Sequence, residues 1–153
     1  MDPASHDILV IGGGPAGSAT AYWAASAGLD VVVVEKKEFP RDKTCGDGLT
    51  PRAVRQLDDM GLAGRLEQYH RYDGLRAVAH GRAMELHWPE HSRFPSHGYV
   101  VRRRDLDWMV ARNAQAAGAT IIEGAEALAP VVQRGFVRGA VVQRDGGSAE
   151  GGQ

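Results

Sequence analysis

Three glycines near the start of the chain, Gly12, Gly14 and Gly17, stand in the spacing G-x-G-x-x-G. An acid, Glu35, follows in the window about 20 residues on, where such a motif places a ribose partner. Residues of these types at this spacing can hold a diphosphate and the sugar beside it. Gly12 permits a tight turn, Gly14 lets backbone approach a pyrophosphate, and Gly17 lets a helix pack closely on a strand. Pro15 and Ala16 then open a helix, Pro15 at a position where its missing N–H has no partner to lose. Free N–H groups and the positive dipole end at that terminus attract phosphate. Glu35, followed by Lys36, can accept hydrogen bonds from ribose hydroxyls. An acid here, and not an arginine, speaks against a 2′-phosphate, so the expected adenosine belongs to FAD or NAD and not NADP.

The elements that must position these residues are legible around them. Ile8–Ile11 and Val31–Val34 are apolar, β-branched runs that read as buried strands. The stretch between them reads as a helix to about Ala27, stopped by Gly28. A lone glycine motif is weak evidence, but strand, helix, second strand and acid are all present here.

A second cluster lies in the loop Glu38–Pro51, EFPRDKTCGDGLTP, directly after the second strand. Loops at the carboxyl ends of parallel strands border the ligand crevice. Arg41 and Lys43 are candidate diphosphate partners, Arg41 the better because its fork binds phosphate oxygens bidentately. Either could equally be a solvated loop charge. Gly46 and Gly48 bracket Asp47, which suggests backbone lying against a flat ligand. Cys45 is a proton donor or a small buried apolar residue.

Further along, Thr50 and Pro51 read as the cap and first residue of a helix to about Met60. Another short helical turn is expected over 62–69. Leu75–Ala79 and Ala83–Trp88 read as a hairpin around His80-Gly81-Arg82. His87, His91 and His97 invite a metal reading, but Pro89 breaks the helix that would align them and no acid or cysteine completes a ligand set. They read as loop histidines. Arg103 begins a helix ending at Gly118, with Leu106, Met109, Val110, Ala114 and Ala117 as its apolar stripe. Arg102-Arg103-Arg104 is most simply a solvated entrance to it, with one arginine on the dinucleotide side. Ala119–Glu123 is a third parallel strand, and Ala127–Gln133 with Phe136–Arg144 an antiparallel hairpin. The polar, glycine-rich end, 146–153, is expected to be a flexible tail.

At 153 residues the chain can form one domain with a real core. Eighteen Lys and Arg against 19 Asp and Glu give a net charge of −1, which removes the electrostatic case for nucleic acid. One cysteine allows no intrachain disulfide and suits a reducing cytoplasm. No apolar run reaches the length of about 20 residues that spans a bilayer. The expectation is a cytoplasmic protein, at most peripheral at the inner face of the membrane.

The opening GGGPAGSATAYWAASAGLDVVVVEK resembles FAD-binding domains of the glutathione-reductase type, in the branch of aromatic hydroxylases, halogenases and geranylgeranyl reductases. PRDKTCGDGLTPRAV resembles the cysteine–glycine loop of the FAD-dependent geranylgeranyl reductase family, in particular members that saturate isoprenoid chains such as the menaquinone side chain. VVRRRDLDWMVARNAQAAGA resembles the branch's R-x-x-L/F-D helix. The resemblance implies an α/β, Rossmann-like FAD-binding domain: a parallel βαβ core with an antiparallel hairpin or meander. It implies an oxidoreductase that reduces isoprenoid C=C bonds, an isoprenoid lipid or quinone as substrate, and an external electron donor, NAD(P)H or another. It also implies an FAD contact at Arg103 and places Cys45, the candidate catalytic residue, towards the flavin with Gly46 and Gly48.

Two departures stand out. Asp47 replaces a second consecutive glycine, and the family's later Asp-Gly and Gly-Asp segments are missing. The expectation is therefore an amino-terminal fragment: a partial FAD-binding domain over 1–145, with the start of a small substrate-side β insertion around 74–101. The alternatives are a flavin monooxygenase on the same fold and a catalytically inactive dinucleotide-binding fragment.

Overall fold

The computed structural model describes residues 5–144 and 150–152. Their packing falls into two units, Met1–Lys43 with Arg104–Gln153, and Thr44–Arg103.

The first unit is built on the βαβ segment. Strand β1 (Ile8–Ile11) leads through the glycine turn into α1 (Pro15–Ser26) and back to β2 (Val31–Val34). β1 and β2 pair in parallel, Ile8 opposite Val31 through Ile11 opposite Val34. Each residue of β2 is buried, as a central parallel strand covered on both faces must be. Ala21 of α1 packs with Val31 and Val33, and the small alanine lets helix and sheet approach closely.

In the second unit, β3 (Gly48–Leu49) is followed by α2 (Pro51–Asp59) and a one-turn α3 (Ala63–Leu66). Thr50 caps α2, its hydroxyl accepting the Ala53 N–H at 3.5 Å. Strands β4 (His70–Tyr72) and β7 (Gly98–Val100) complete a small sheet in the order β3-β7-β4. Leu49, Val54, Leu57, Met60, Leu62, Leu66 and Val101 form its buried apolar set. Between β4 and β7 lies the hairpin β5 (Gly74–Ala79) and β6 (Arg82–His87). Its turn residues His80 and Gly81 both have positive φ, 49° and 73°, as a tight two-residue turn requires.

The chain then returns to the first unit. Helix α4 (Arg103–Ala116) buries Leu106, Met109, Val110 and Ala114, as its periodicity predicts, together with one acid, Asp107. β8 (Thr120–Ile122) adds to the far side of β2 in parallel, giving the order β1-β2-β8. β9 (Ala125–Gln133) and β10 (Phe136–Arg144) form the expected hairpin.

The sheet differs from the sequence reading at its end. Residues 146–149 and 153 of the expected tail lie outside the described residues, but Glu150–Gly152 forms β11, antiparallel to β10. It pairs with Ala140 to Val142, whose ladder groups on that side of β10 need partners that a glycine-rich backbone can supply without steric demand. The two-residue β3 and three-residue β4 were also not foreseen, being too short to show a period.

Gly17 is where backbone approach is closest. A Cβ there would run into the Gly12 carbonyl and crowd the Val10 side chain. Gly17→Ala is expected to destabilise the protein by about 1–3 kcal/mol through overpacking, read as a shift in urea midpoint without change of slope.

Candidate functional site: an adenosine-diphosphate cradle and a supported thiol

The first cluster lies wholly in the first unit. Gly12 turns with φ 96°, and its N–H donates to Val34 O at 2.8 Å, tying the turn to the strand top. Gly14 is the N-cap of α1 and no side chain caps that terminus. The amides of the first turn are left to an outside acceptor. A Cβ on Gly14 would meet only Arg41 Nη2, at 3.7 Å, so the space above the turn stays open. From below, Ser18 is fully buried and its Oγ donates to the Gly13 carbonyl at 3.0 Å, fixing the turn.

Glu35 closes on the same turn. Its Oε2 accepts the Gly13 N–H at 2.8 Å, and its Oε1 the Lys37 N–H at 3.0 Å. Arg41 lies along its edge, Nη2 donating to Oε2 and Nε 3.3 Å from Oε1. That Nε is buried but misaligned and makes no hydrogen bond. A carboxylate offers about four acceptor positions. Gly13, Lys37 and Arg41 Nη2 fill three of them, with Arg41 Nε close to Oε1 as well. The arrangement therefore has free amides for a diphosphate and an acid for the ribose next to it.

The structure distributes the other predicted residues unevenly. Pro15 and Ala16 start α1 as expected. Arg41 is no solvated loop charge: its Nη1 pairs with Asp107 at 3.0 Å and its guanidinium lies over the Phe39 ring at 5.3 Å. Lys36 Nζ is drawn off to Glu126 at 2.8 Å on an exposed face. Lys43 is exposed.

Cys45, Gly46, Asp47 and Gly48 lie in the second unit. Cys45 is exposed, which sets aside the reading of a small packed residue. The Asp47 backbone N–H, then the Arg103 side chain and its charge, then the Gly46 N–H, hold its thiol below the usual thiol pKa. Asp47 adopts φ 56°, tolerable for an aspartate, and its Oδ1 accepts the Arg103 N–H at 3.1 Å. Its carbonyl accepts the Val101 N–H at 2.8 Å. Asp47 thus does more than stand in for glycine: it turns the loop and binds both ends of the Val101–Arg103 segment. Gly46 and Gly48 are exposed, with open space at Gly46. Arg102 and Arg104 are exposed as the sequence suggested.

Sequence reasoning missed Ser18, Asp47 and Asp107 as supports. For Asp107 a signal existed: an acid within an apolar helical stripe.

The model of a family described as FAD binding domain matches residues 5–150. The chain belongs to that FAD-binding domain family. The residues agree with FAD: uncapped amides, an open Gly14 and an acid within hydrogen-bond reach of the turn. Among curated relatives, a menaquinone reductase of Mycobacterium tuberculosis is 50% identical over 125 residues, covering 82% of this chain and 30% of that protein. A digeranylgeranylglycerophospholipid reductase of Methanopyrus kandleri is 33% identical over 150 residues, covering 94% and 36%. The chain thus spans about a third of the length of the relatives it matches. A myxobacterial chondrochloren halogenase, described as FAD-dependent, superposes with TM-score 0.88 at 25% identity, covering 97% of this chain and 35% of that one. A geranylgeranyl bacteriochlorophyll reductase-like protein of Thermoplasma acidophilum gives 0.76 at 28%, covering 92% and 35%. These relatives agree with the resemblance drawn from the cysteine–glycine loop.

The thiol environment has a measurable consequence. Because its partners stabilise the thiolate, the pH midpoint of Cys45 alkylation by iodoacetamide is expected below that of a free thiol. Arg103→Gln removes one of those partners and should move the midpoint back up, slowing alkylation at neutral pH.

Proposed function

We propose that this chain is the FAD-binding part of a flavin-dependent reductase that saturates C=C bonds of isoprenoid chains, the menaquinone side chain foremost. The observation that carries the reading is the Glu35 carboxylate on the Gly13 N–H at 2.8 Å beside an uncapped helix terminus, an adenosine-diphosphate cradle. The reductase relatives supply the substrate class.

In this reading the α1 amides hold the diphosphate and Glu35 accepts a ribose hydroxyl. Bound and reduced, FAD supplies the hydride for one alkene carbon. Cys45 holds the proton for the other at Sγ, and the Asp47 and Gly46 N–H groups with Arg103 stabilise the thiolate left behind. An isolated alkene has no carbonyl to polarise, so positioning and the proton source carry much of the barrier lowering. The electron donor is NAD(P)H or another reductant. Contact with a membrane surface is part of the proposal because the substrate is a lipid. No helix among the described residues is long and apolar enough to cross one.

A second reading, an oxygen-using flavin enzyme such as a monooxygenase, draws on the likeness to the FAD-dependent halogenase. Product analysis separates the two: a saturated prenyl chain or an oxygenated or halogenated ring.

Titration of the purified chain with FAD, followed by flavin fluorescence, should give a yellow complex. A colourless protein that takes up no FAD would leave the inactive-fragment reading standing. Where reduction of menaquinone is observed, Cys45→Ser should slow it by about a hundredfold, as loss of a general acid does. Unchanged turnover would remove Cys45 from the proton path.

A further inference from the structure

Two hollows run into one another on the second unit, between α2 and residues 92–95. One, of about 450 Å³, is walled by Arg52, Arg55 and Arg93 together with Gln56, Asp59 and Ser92. The other, of about 440 Å³, continues from Arg55, Arg93 and Phe94 to the apolar side chains of Val54, Leu66 and Tyr99. The arginine end holds two uncommitted cations. Arg55 is taken by its own helix, 2.5 Å from Asp59 and 3.9 Å from Asp58, and Gln56 reaches the other Asp59 oxygen at 3.5 Å. Arg52 and Arg93 are exposed, and among the described residues neither guanidinium has a hydrogen bond or an ion pair. Arg52 also stands in the first turn of α2, which has no acid and where the helix dipole disfavours a cation. Arg93 projects from an ordered turn: its N–H donates to His91 Nδ1 at 3.0 Å, and the His91 ring stacks on Phe94 at 4.8 Å.

Two free guanidiniums on one hollow, whose single acid is already paired, suit an anion that their forks can grip, a phosphate. The apolar continuation suits a chain attached to that phosphate. Asp58 and Glu67 line that continuation and keep the anion at the Arg52 end. We propose that this trough binds the headgroup phosphate of an anionic phospholipid at a bilayer surface, between Arg52 and Arg93, with the start of the lipid chain along Val54 and Phe94. The charge of the unit agrees. Thr44–Arg103 carries nine arginines against seven Asp and Glu, whereas the rest of the chain has nine Lys and Arg against twelve acids. An anionic leaflet therefore attracts the second unit and not the first. The inference names the surface behind the membrane contact of the proposed function; it rests on that part of the reading and not on FAD.

Flotation of the full chain with lipid vesicles is the test. The unaltered protein should float with phosphatidylglycerol and stay behind with phosphatidylcholine, whose choline cancels the phosphate charge. Arg52→Gln/Arg93→Gln should weaken phosphatidylglycerol binding about thirtyfold, at about fivefold per guanidinium. Arg76→Gln/Arg82→Gln, on the β5–β6 hairpin, removes the same charge outside the trough and should leave binding within about threefold. Should the first pair not fold, Arg93→Gln alone decides, by its fivefold loss. Equal losses from the two arginine pairs, or flotation with both lipids alike, overturn the inference. So does a chain that takes up geranylgeranyl diphosphate through Arg52 and Arg93 but ignores vesicles. Flavin fluorescence in the same samples keeps the two readings apart. A chain that binds FAD and no vesicles sinks the trough alone, and one that floats but takes up no FAD removes the FAD reading and leaves the trough standing.

Discussion

A carboxylate withdrawn from water must have its acceptor positions filled, and the first unit is arranged around meeting that demand at Glu35. The acid sits at the end of the most deeply buried strand, where the backbone is fixed by its own bonds to Ile122 and Ala125. Its oxygens therefore cannot wander, and the groups that satisfy them are fixed in turn. Gly13 N–H is one, which binds the glycine turn to the strand top at 2.8 Å. Lys37 N–H is another, which folds the chain sharply after β2. Arg41 is the third, and its own charge then obliges Asp107 to face inward from α4. The same interaction that stabilises the turn thus draws a loop and a helix into one electrostatic cluster, and it does so without blocking the α1 amides.

The second unit solves a different problem. Cys45 is exposed, and its character comes from donors assembled by a short loop, which outweigh what little desolvation opposes them. That loop needs Asp47 in a left-handed conformation, which a glycine would adopt more freely but without offering a carboxylate to the Arg103 N–H. The departure from a two-glycine pattern exchanges backbone freedom for a fixed contact with the segment that carries Arg103. A thiol surrounded by amide donors and a guanidinium is an acid of increased strength.

Much of this was legible before any coordinates. The βαβ unit, its glycine turn and the acid at 35 follow from strong periodicity, β-branched runs and a motif with strict spacing. The α4 stripe, the β9–β10 hairpin and the β5–β6 hairpin follow from the same signals at their proper periods. What escaped were features without a period or a motif. β3 and β4 are too short to alternate. β11 forms because the β10 edge has ladder groups to offer, which no local preference of a glycine-rich segment reveals. Ser18, in the middle of a small-residue helix, looks like any tolerated serine until its hydroxyl is found under the Gly13 carbonyl.

By itself the sequence determined the dinucleotide cradle, because spacing, chirality and strand burial are local constraints that hold wherever the segment folds. It also determined that a cysteine, two glycines and an acid share one loop. Only the tertiary structure decided what the charged residues do. Arg41 and Asp107 are 66 positions apart in number and no local rule pairs them; the fold brings the Arg41 guanidinium within reach of two buried carboxylates, Glu35 and Asp107. Lys36, next to the acid in the chain, pairs instead with Glu126, 90 positions further on. Electrostatic partners in a folded chain are chosen by proximity and desolvation, and neither is written in sequence order.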